Sequence, residues 1–259
     1  MGTGVARAPA QPVRLYCFYT VAYQELIDRW LGPSAAYEYE LVTRCDPDAH
    51  VVEYKQEGWL SVTRRKVDFI LEALGDNAGH SFLFSDPDVQ FLGPTRARLA
   101  RALGRRDLLF VKDSPGAHRI GTGFFLCRSN PKTLEFWRAV REMMEQDELC
   151  GDGDQDCVRK LLVGSLIEKI HRRLDHAGRS QLAAAGLSRR GVNPYGLRWG
   201  YLPVTFFGGG TLTGRRWEPG MTLPVPDRVV LHHANWTGNF ANKAAQLRYV
   251  KEVVDIRAQ

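Results

Sequence analysis

The stretch "SFLFSDPDVQFLG" (residues 81–93) carries an apolar run into two aspartates, Asp86 and Asp88, set one residue apart. A short apolar run bounded by polar residues reads as a buried strand. In open α/β sheets ligands bind beyond the carboxyl ends of the strands, which is where these carboxylates fall. Left alone, the two would repel each other and lose solvation. A divalent cation removes both penalties, and hard oxygen ligands suit Mg2+ or Mn2+. Pro87 fixes φ between them and stiffens the fork. An acidic surface turn is the other reading, and residue chemistry alone leaves both open.

Working outward, "VRLYCFYT" (13–20) reads as a first strand and 21–33 as a helix stopped by Gly32 and Pro33. "YEYELVTRC" (37–45) alternates like a second strand. Between Trp59 and Leu74 the apolar positions Val67, Ile70, Leu71 and Leu74 mark one helical face, closed by Gly75. After the aspartates come a short basic helix (95–104), the strand "DLLFV" and the strand "GTGFFLCRS". Asn130 and Pro131 read as an N-cap and first helical residue. "YLPVTFF" and "RVVLHH" read as late strands, and a terminal helix follows. Strands alternating with helices predict an α/β fold, a mostly parallel sheet covered on both faces. One domain over 13–259 is expected, after a disordered leader (1–12). Residues 165–198 are basic and interrupted, a segment without a clear element.

A net charge of +6, from 35 Lys and Arg against 29 Asp and Glu, is spread along the chain. No helix-turn-helix, zinc-finger or RNA-recognition signature accompanies it, so nucleic acid is not expected as a partner. No apolar stretch approaches about 20 residues, so no transmembrane segment is expected. The N-terminus lacks the apolar centre of a signal peptide. Five scattered cysteines without a CxxC pair form neither a disulfide framework nor a zinc site. These features together favour a cytoplasmic location.

The other acidic groups carry less. Asp46-Pro47-Asp48 reads as a turn. Asp152, Asp154 and Asp156 imitate the start of a calcium loop, but Cys157 and Val163 stand where glycine and a bidentate glutamate are needed. An aspartyl-phosphate phosphatase also places D-x-D after a strand, its first Asp as nucleophile. Gln90 stands where such enzymes usually have Thr or Val, and the motif comes late in the chain.

"FLFSDPDVQFLGP" resembles the D-x-D segment of the nucleotide-diphospho-sugar transferases, GT-A glycosyltransferases that include the extensin and rhamnogalacturonan enzymes. Other segments follow in the family's order. "TRRKVDFILEAL" is similar to its Lys-bearing helix, and "GTGFFLCRSNPKTLEFW" to its Asn-Thr-Gly-Phe strand and helix. "DQD" is similar to the Asp-Gln block, and "HHANWTGNFANK" to the terminal His-x-Asn…Gly…Lys block. The similarity runs from Val13 to Lys243, leaving 165–198 as a possible acceptor-side insertion. Gly121 stands where the family usually has Asn.

The resemblance implies a GT-A fold and a metal-dependent transfer from a nucleoside diphosphate sugar, foremost a UDP-sugar, with retention at the anomeric carbon. The acceptor would be a hydroxyl on a glycan, a protein or a small molecule. Asp86, Asp88 and His233 would hold Mn2+ or Mg2+, imidazole favouring Mn2+. Tyr19, Thr20, Lys66, Asp86, Thr122, Asn235, Gly238 and Lys243 would bind the donor. Of these, Tyr19 and Thr20 fall at the base and ribose, and Gly238 and Lys243 at the diphosphate. Asp154 and Gln155 would sit at the anomeric carbon as the catalytic pair. A GT-A module that binds nucleotide sugars without turnover is the alternative, with Gly121 as its support. Strand alternation sends His232 and His233 to opposite sides, so only one can face the fork.

Overall fold

The computed structural model describes residues 13–49, 56–116, 118–146, 153–163 and 195–259. The leader and nearly all of the 165–198 segment lie outside them.

Six strands build the central sheet: β1 (Arg14–Thr20), β2 (Glu40–Asp46), β3 (Ser81–Ser85), β5 (Leu108–Lys112), β6 (Ile120–Arg128) and β7 (Trp199–Tyr201). Their order is β2-β1-β3-β6-β5-β7. Within this sheet β6 alone runs against the others. The continuous apolar run in "RLYCFYT" explains how β1 can be buried on both faces. Tyr16 and Phe18 join Phe82, Phe84, Phe110 and Phe125 in one core. Leu15, Cys17 and Tyr19 join Leu83, Val111 and Phe124 in a second core on the opposite face. Cys17 and Cys127 are free and buried in strands, whereas Cys157 is disulfide-bonded.

Three helices cover the first face, α3 (Trp59–Asp76), α5 (Pro131–Met143) and α6 (Gly153–Val163), while α4 (Arg96–Leu103) packs Leu99 and Leu103 into the second core. Asn130 caps α5 by accepting from the Lys132 and Thr133 N–H groups, and the Thr133 hydroxyl completes the box. On the second face lies a small sheet of β4 (Val89–Phe91), β8 (Phe206–Gly208) and β9 (Leu231–His233), in the order β4-β9-β8. The terminal helix α7 (Phe240–Ala258) starts at Asn239, whose side chain accepts from the Asn242 N–H.

Two boundaries differ from the sequence reading. Gly32 and Pro33 do not stop the first helix. The chain passes through α1 (Gln24–Leu26), a π-helical segment (Ile27–Leu31) and α2 (Gly32–Ala35). The Gly32 N–H donates to the Ile27 carbonyl, five residues back. That wider turn restarts the helix with proline in its first turn, where the missing N–H costs nothing. Gly75 likewise lies inside α3, which closes at Asn77, the N–H donating to the Ala73 and Gly75 carbonyls.

Candidate active site

The strand that opens the site ends at Ser85, and the Asp86 N–H donates to the Gly123 carbonyl at 2.7 Å. After Pro87 the chain enters β4, which pairs antiparallel with β9 so that Val89 faces His233. That register sets Asp88 beside the histidine, and the Ala234 N–H donates to the Asp88 carbonyl at 2.8 Å. His233 Nε2 lies 3.3 Å from Asp88 Oδ1 and 3.8 Å from Asp86 Oδ2. One ligand atom from each of the three lies within 4.8 Å of the others. Two carboxylates and an imidazole are a donor set for a hard or borderline divalent cation.

The gap between them is kept open by a glycine. A Cβ added at Gly123 would come within 2.1 Å of His233 Cε1 and 2.7 Å of Asp86 Oδ2. The space is thus a cradle that any side chain would fill, and the residues fit a metal.

Two lysines neutralise the fork. Lys66 Nζ lies 2.9 Å from Asp86 Oδ1 and 3.2 Å from Asp154 Oδ2, and donates to the Thr122 carbonyl at 3.4 Å. Burial alone would lower this ammonium, but Asp154 and Asp86 outweigh it and hold its pKa raised. Lys243 pairs with Asp88 Oδ2 and donates to the Ala234 carbonyl at 3.3 Å. Burial opposes the charge on Asp88, yet Lys243 and His233 keep its carboxyl well below the usual range.

Asp154 and Gln155 lie in the first turn of α6. The turn opens at Gly153, whose φ of +64° suits glycine. Asp154 is buried against Lys66, and Gln155 Oε1 accepts from the Thr122 N–H at 3.4 Å. Lys66 therefore joins the D-x-D tip to the D-Q-D helix.

The remaining expected residues lie around this centre. Tyr19 is buried in the second core, and its hydroxyl donates to Gln24 Oε1 at 2.7 Å; Thr20 is buried at the end of β1. Asn235 serves the backbone: its Oδ1 accepts from the Gly210 N–H and its Nδ2 donates to Asp113 Oδ1, each at 3.1 Å. Gly238 precedes the Asn239 cap, and a Cβ there would meet Arg216 Nη2 at 2.4 Å. The bare Cα of Gly121 also has a packing cause, since a Cβ would sit 3.0 Å from the Val111 carbonyl oxygen.

Sequence reasoning missed Gly123, Arg216 and Asp113. The last had a signal: it follows the apolar strand "LLFV" much as Asp86 follows "SFLF".

The two histidines part as strand alternation requires. His232 is fully buried, with Nε2 3.1 Å from Gln246 Oε1 and its ring 4.6 Å from Phe207. Burial, with His233 alongside, pushes its pKa down to about 3, so it sits neutral in the core. His233→Ala should weaken Mn2+ binding, while His232→Ala should chiefly lower stability, by about 2–4 kcal/mol for a truncated buried ring. Mn2+ titration and thermal melts of both variants check this. The reverse pattern would mean that His232 is the ligand.

A sheet of this order, with carboxylates at a strand tip and a small second sheet behind them, has the build of a GT-A glycosyltransferase. The sequence model for nucleotide-diphospho-sugar transferases matches residues 20–247, and the chain belongs to that family. A glycosyltransferase involved in glycosylation of the major capsid of PBCV-1 superposes with a TM-score of 0.50 at 11% identity, covering 92% of this chain and 99% of that one. The glycosyltransferase GlyE of Streptococcus pneumoniae TIGR4 gives 0.48 at 10% identity, covering 93% and 62%. Mouse xyloside xylosyltransferase 1 gives 0.40 at 9%, covering 86% and 97%. No curated protein matches in sequence. No helix among the described residues is long and apolar enough to cross a membrane.

Proposed function

We propose that this chain moves a sugar from a nucleoside diphosphate sugar, foremost a UDP-sugar, to a hydroxyl acceptor, in a reaction that needs Mn2+ or Mg2+ and retains anomeric configuration. The observation that carries this reading is the convergence of Asp86, Asp88 and His233 around a gap kept open by Gly123. A divalent cation held there supplies Lewis-acid stabilisation of the charge that builds on the departing diphosphate.

The chain's own groups do the rest. Lys243 rests on Asp88 here and would also bring its ammonium to the diphosphate. Together with the backbone of Gly238 before the α7 cap, it favours the leaving anion. Lys66 holds Asp86 and Asp154 in fixed relation, so donor positioning and the α6 turn are coupled. Tyr19 and Thr20 close the nucleoside end of the site, and Thr122 and Gln155 line the sugar end. Asp154 is buried and paired with Lys66, a poor disposition for a nucleophile. That supports front-face attack, in which the leaving phosphate takes the acceptor proton, over double displacement.

The test is a panel of nucleoside diphosphate sugars incubated with protein stripped by chelator, with and without Mn2+. Release of nucleoside diphosphate from one donor, only when Mn2+ is restored, is the expected outcome. Donor binding with no turnover under any condition would instead make this a nucleotide-sugar-binding module.

A further inference from the structure

Trp236 has a backbone φ of +53°, one of two non-glycine residues with positive φ among those described. A left-handed conformation costs a non-glycine residue about 1–2 kcal/mol, and such strain gathers at functional sites. The side chain that bears this cost is a tryptophan left 38% exposed. Core packing therefore does not account for it.

Its orientation is tied down from several sides. The indole Nε1–H donates to Asp113 Oδ1 at 3.1 Å, the same oxygen that accepts from Asn235 Nδ2. Burial raises the pKa of Asp113, while the bonds from Trp236 and Asn235 and the charges of His233 and Arg119 pull it back. The ring lies on Gly210, where a Cβ would come within 2.4 Å of the indole Cγ and Cδ1. The Trp236 carbonyl accepts from the Trp217 N–H at 2.7 Å. Gly210, Asn235 and Asp113 thus leave the indole one orientation, with part of its surface in solvent.

Position then limits what that surface meets. Trp236 follows the candidate ligand His233 by three residues and precedes Gly238 by two. Asp154, Gln155 and Lys66 reach the fork from helices on the first face of the central sheet. His233 belongs to the small sheet on the opposite face, and Trp236 follows directly from it. The helix assigned to the donor sugar, α6, and the strand that leads into Trp236 therefore lie on opposite faces of the central sheet.

We infer that Trp236, oriented by Asp113, is the stacking platform for a sugar ring of the acceptor, so that the acceptor is a saccharide rather than a bare protein or small-molecule hydroxyl. A pyranose presents a face of C–H bonds, weakly positive, that complements the electron-rich face of an indole. An aromatic fixed before binding loses little entropy on contact. The inference rests on the glycosyltransferase reading, and its test stands apart from turnover.

Saturation-transfer difference NMR on the full chain, without donor, is run against glucose, galactose, xylose, arabinose, their methyl glycosides, lactose and cellobiose, with UDP as a separate probe. At least one saccharide should receive saturation at its ring C–H protons. Trp236→Ala should weaken that binding by about tenfold, the order of one aromatic contact. Trp236→Phe should keep it within about threefold, because the platform remains. Asp113→Asn should fall between the two, and melting curves check that all three variants fold. The inference is overturned if no panel saccharide binds the wild-type chain. It is also overturned if Trp236→Ala binds saccharides as the wild type does, or loses UDP instead. Donor hydrolysis by the wild-type chain reports separately on the glycosyltransferase reading.

Discussion

Asp88→Asn should lower donor turnover by about a thousandfold, the kinetic equivalent of roughly 4 kcal/mol of lost stabilisation. The change keeps the shape of the side chain and removes the charge that faces both His233 Nε2 and Lys243 Nζ. A neutral amide is a far weaker cation ligand, and the Lys243 ammonium also loses its anchor. The fold should survive, because the Asp88 carbonyl still accepts from the Ala234 N–H and β4 still pairs with β9. Kinetics with a hydrolysable donor and circular dichroism check the two halves. A variant with wild-type turnover would remove Asp88 from the site. Asp86→Asn should do less harm, since Asp86 lies farther from His233 Nε2 (3.8 Å) than Asp88 does (3.3 Å).

Lys66→Met should carry the largest stability cost of any single change at the site. Lys66 is buried on α3, one turn before Ile70, and holds Asp86 and Asp154 at 2.9 and 3.2 Å. Removing the ammonium leaves two carboxylates facing each other with little solvent. Breaking a buried ion pair from one side costs about 3–5 kcal/mol. For a chain of this size that is roughly 10 °C in melting temperature. Adding Asp154→Asn removes one of the stranded charges, so the double variant should recover part of the loss. A Lys66→Met protein that melts with the wild type, or a double variant that melts lower still, would show that the three groups are not coupled.

Much of this site was legible because strand and helix periods fix which way a side chain points. Alternation sends His232 and His233 to opposite sides, and the ladder sets Val89 opposite His233. Lys66 is singled out by the family resemblance rather than by the helix period; the structure buries it on α3, one turn before Ile70. Other features had no period to follow. β4 is three residues long and begins straight after Asp88, too short to show alternation, yet its pairing is what brings the fork to His233. "GDGDQD" has the composition of a loop, and only Gly153 in a left-handed conformation turns it into a helix start. Gly123 looked like an ordinary strand glycine; its role depends on what stands opposite, which no local pattern reveals. Asp113 stands at the tip of β5 as Asp86 stands at the tip of β3, each a carboxylate one residue past the end of its strand.

The central claim is that a divalent cation held by Asp86, Asp88 and His233 makes the nucleoside diphosphate site. Isothermal titration of UDP into chelator-stripped protein, in the absence and then the presence of Mn2+, tests it most directly. The account predicts heat of binding only when Mn2+ is present, and none for Asp88→Asn at the same Mn2+ concentration. Equal UDP affinity with and without the metal would contradict it.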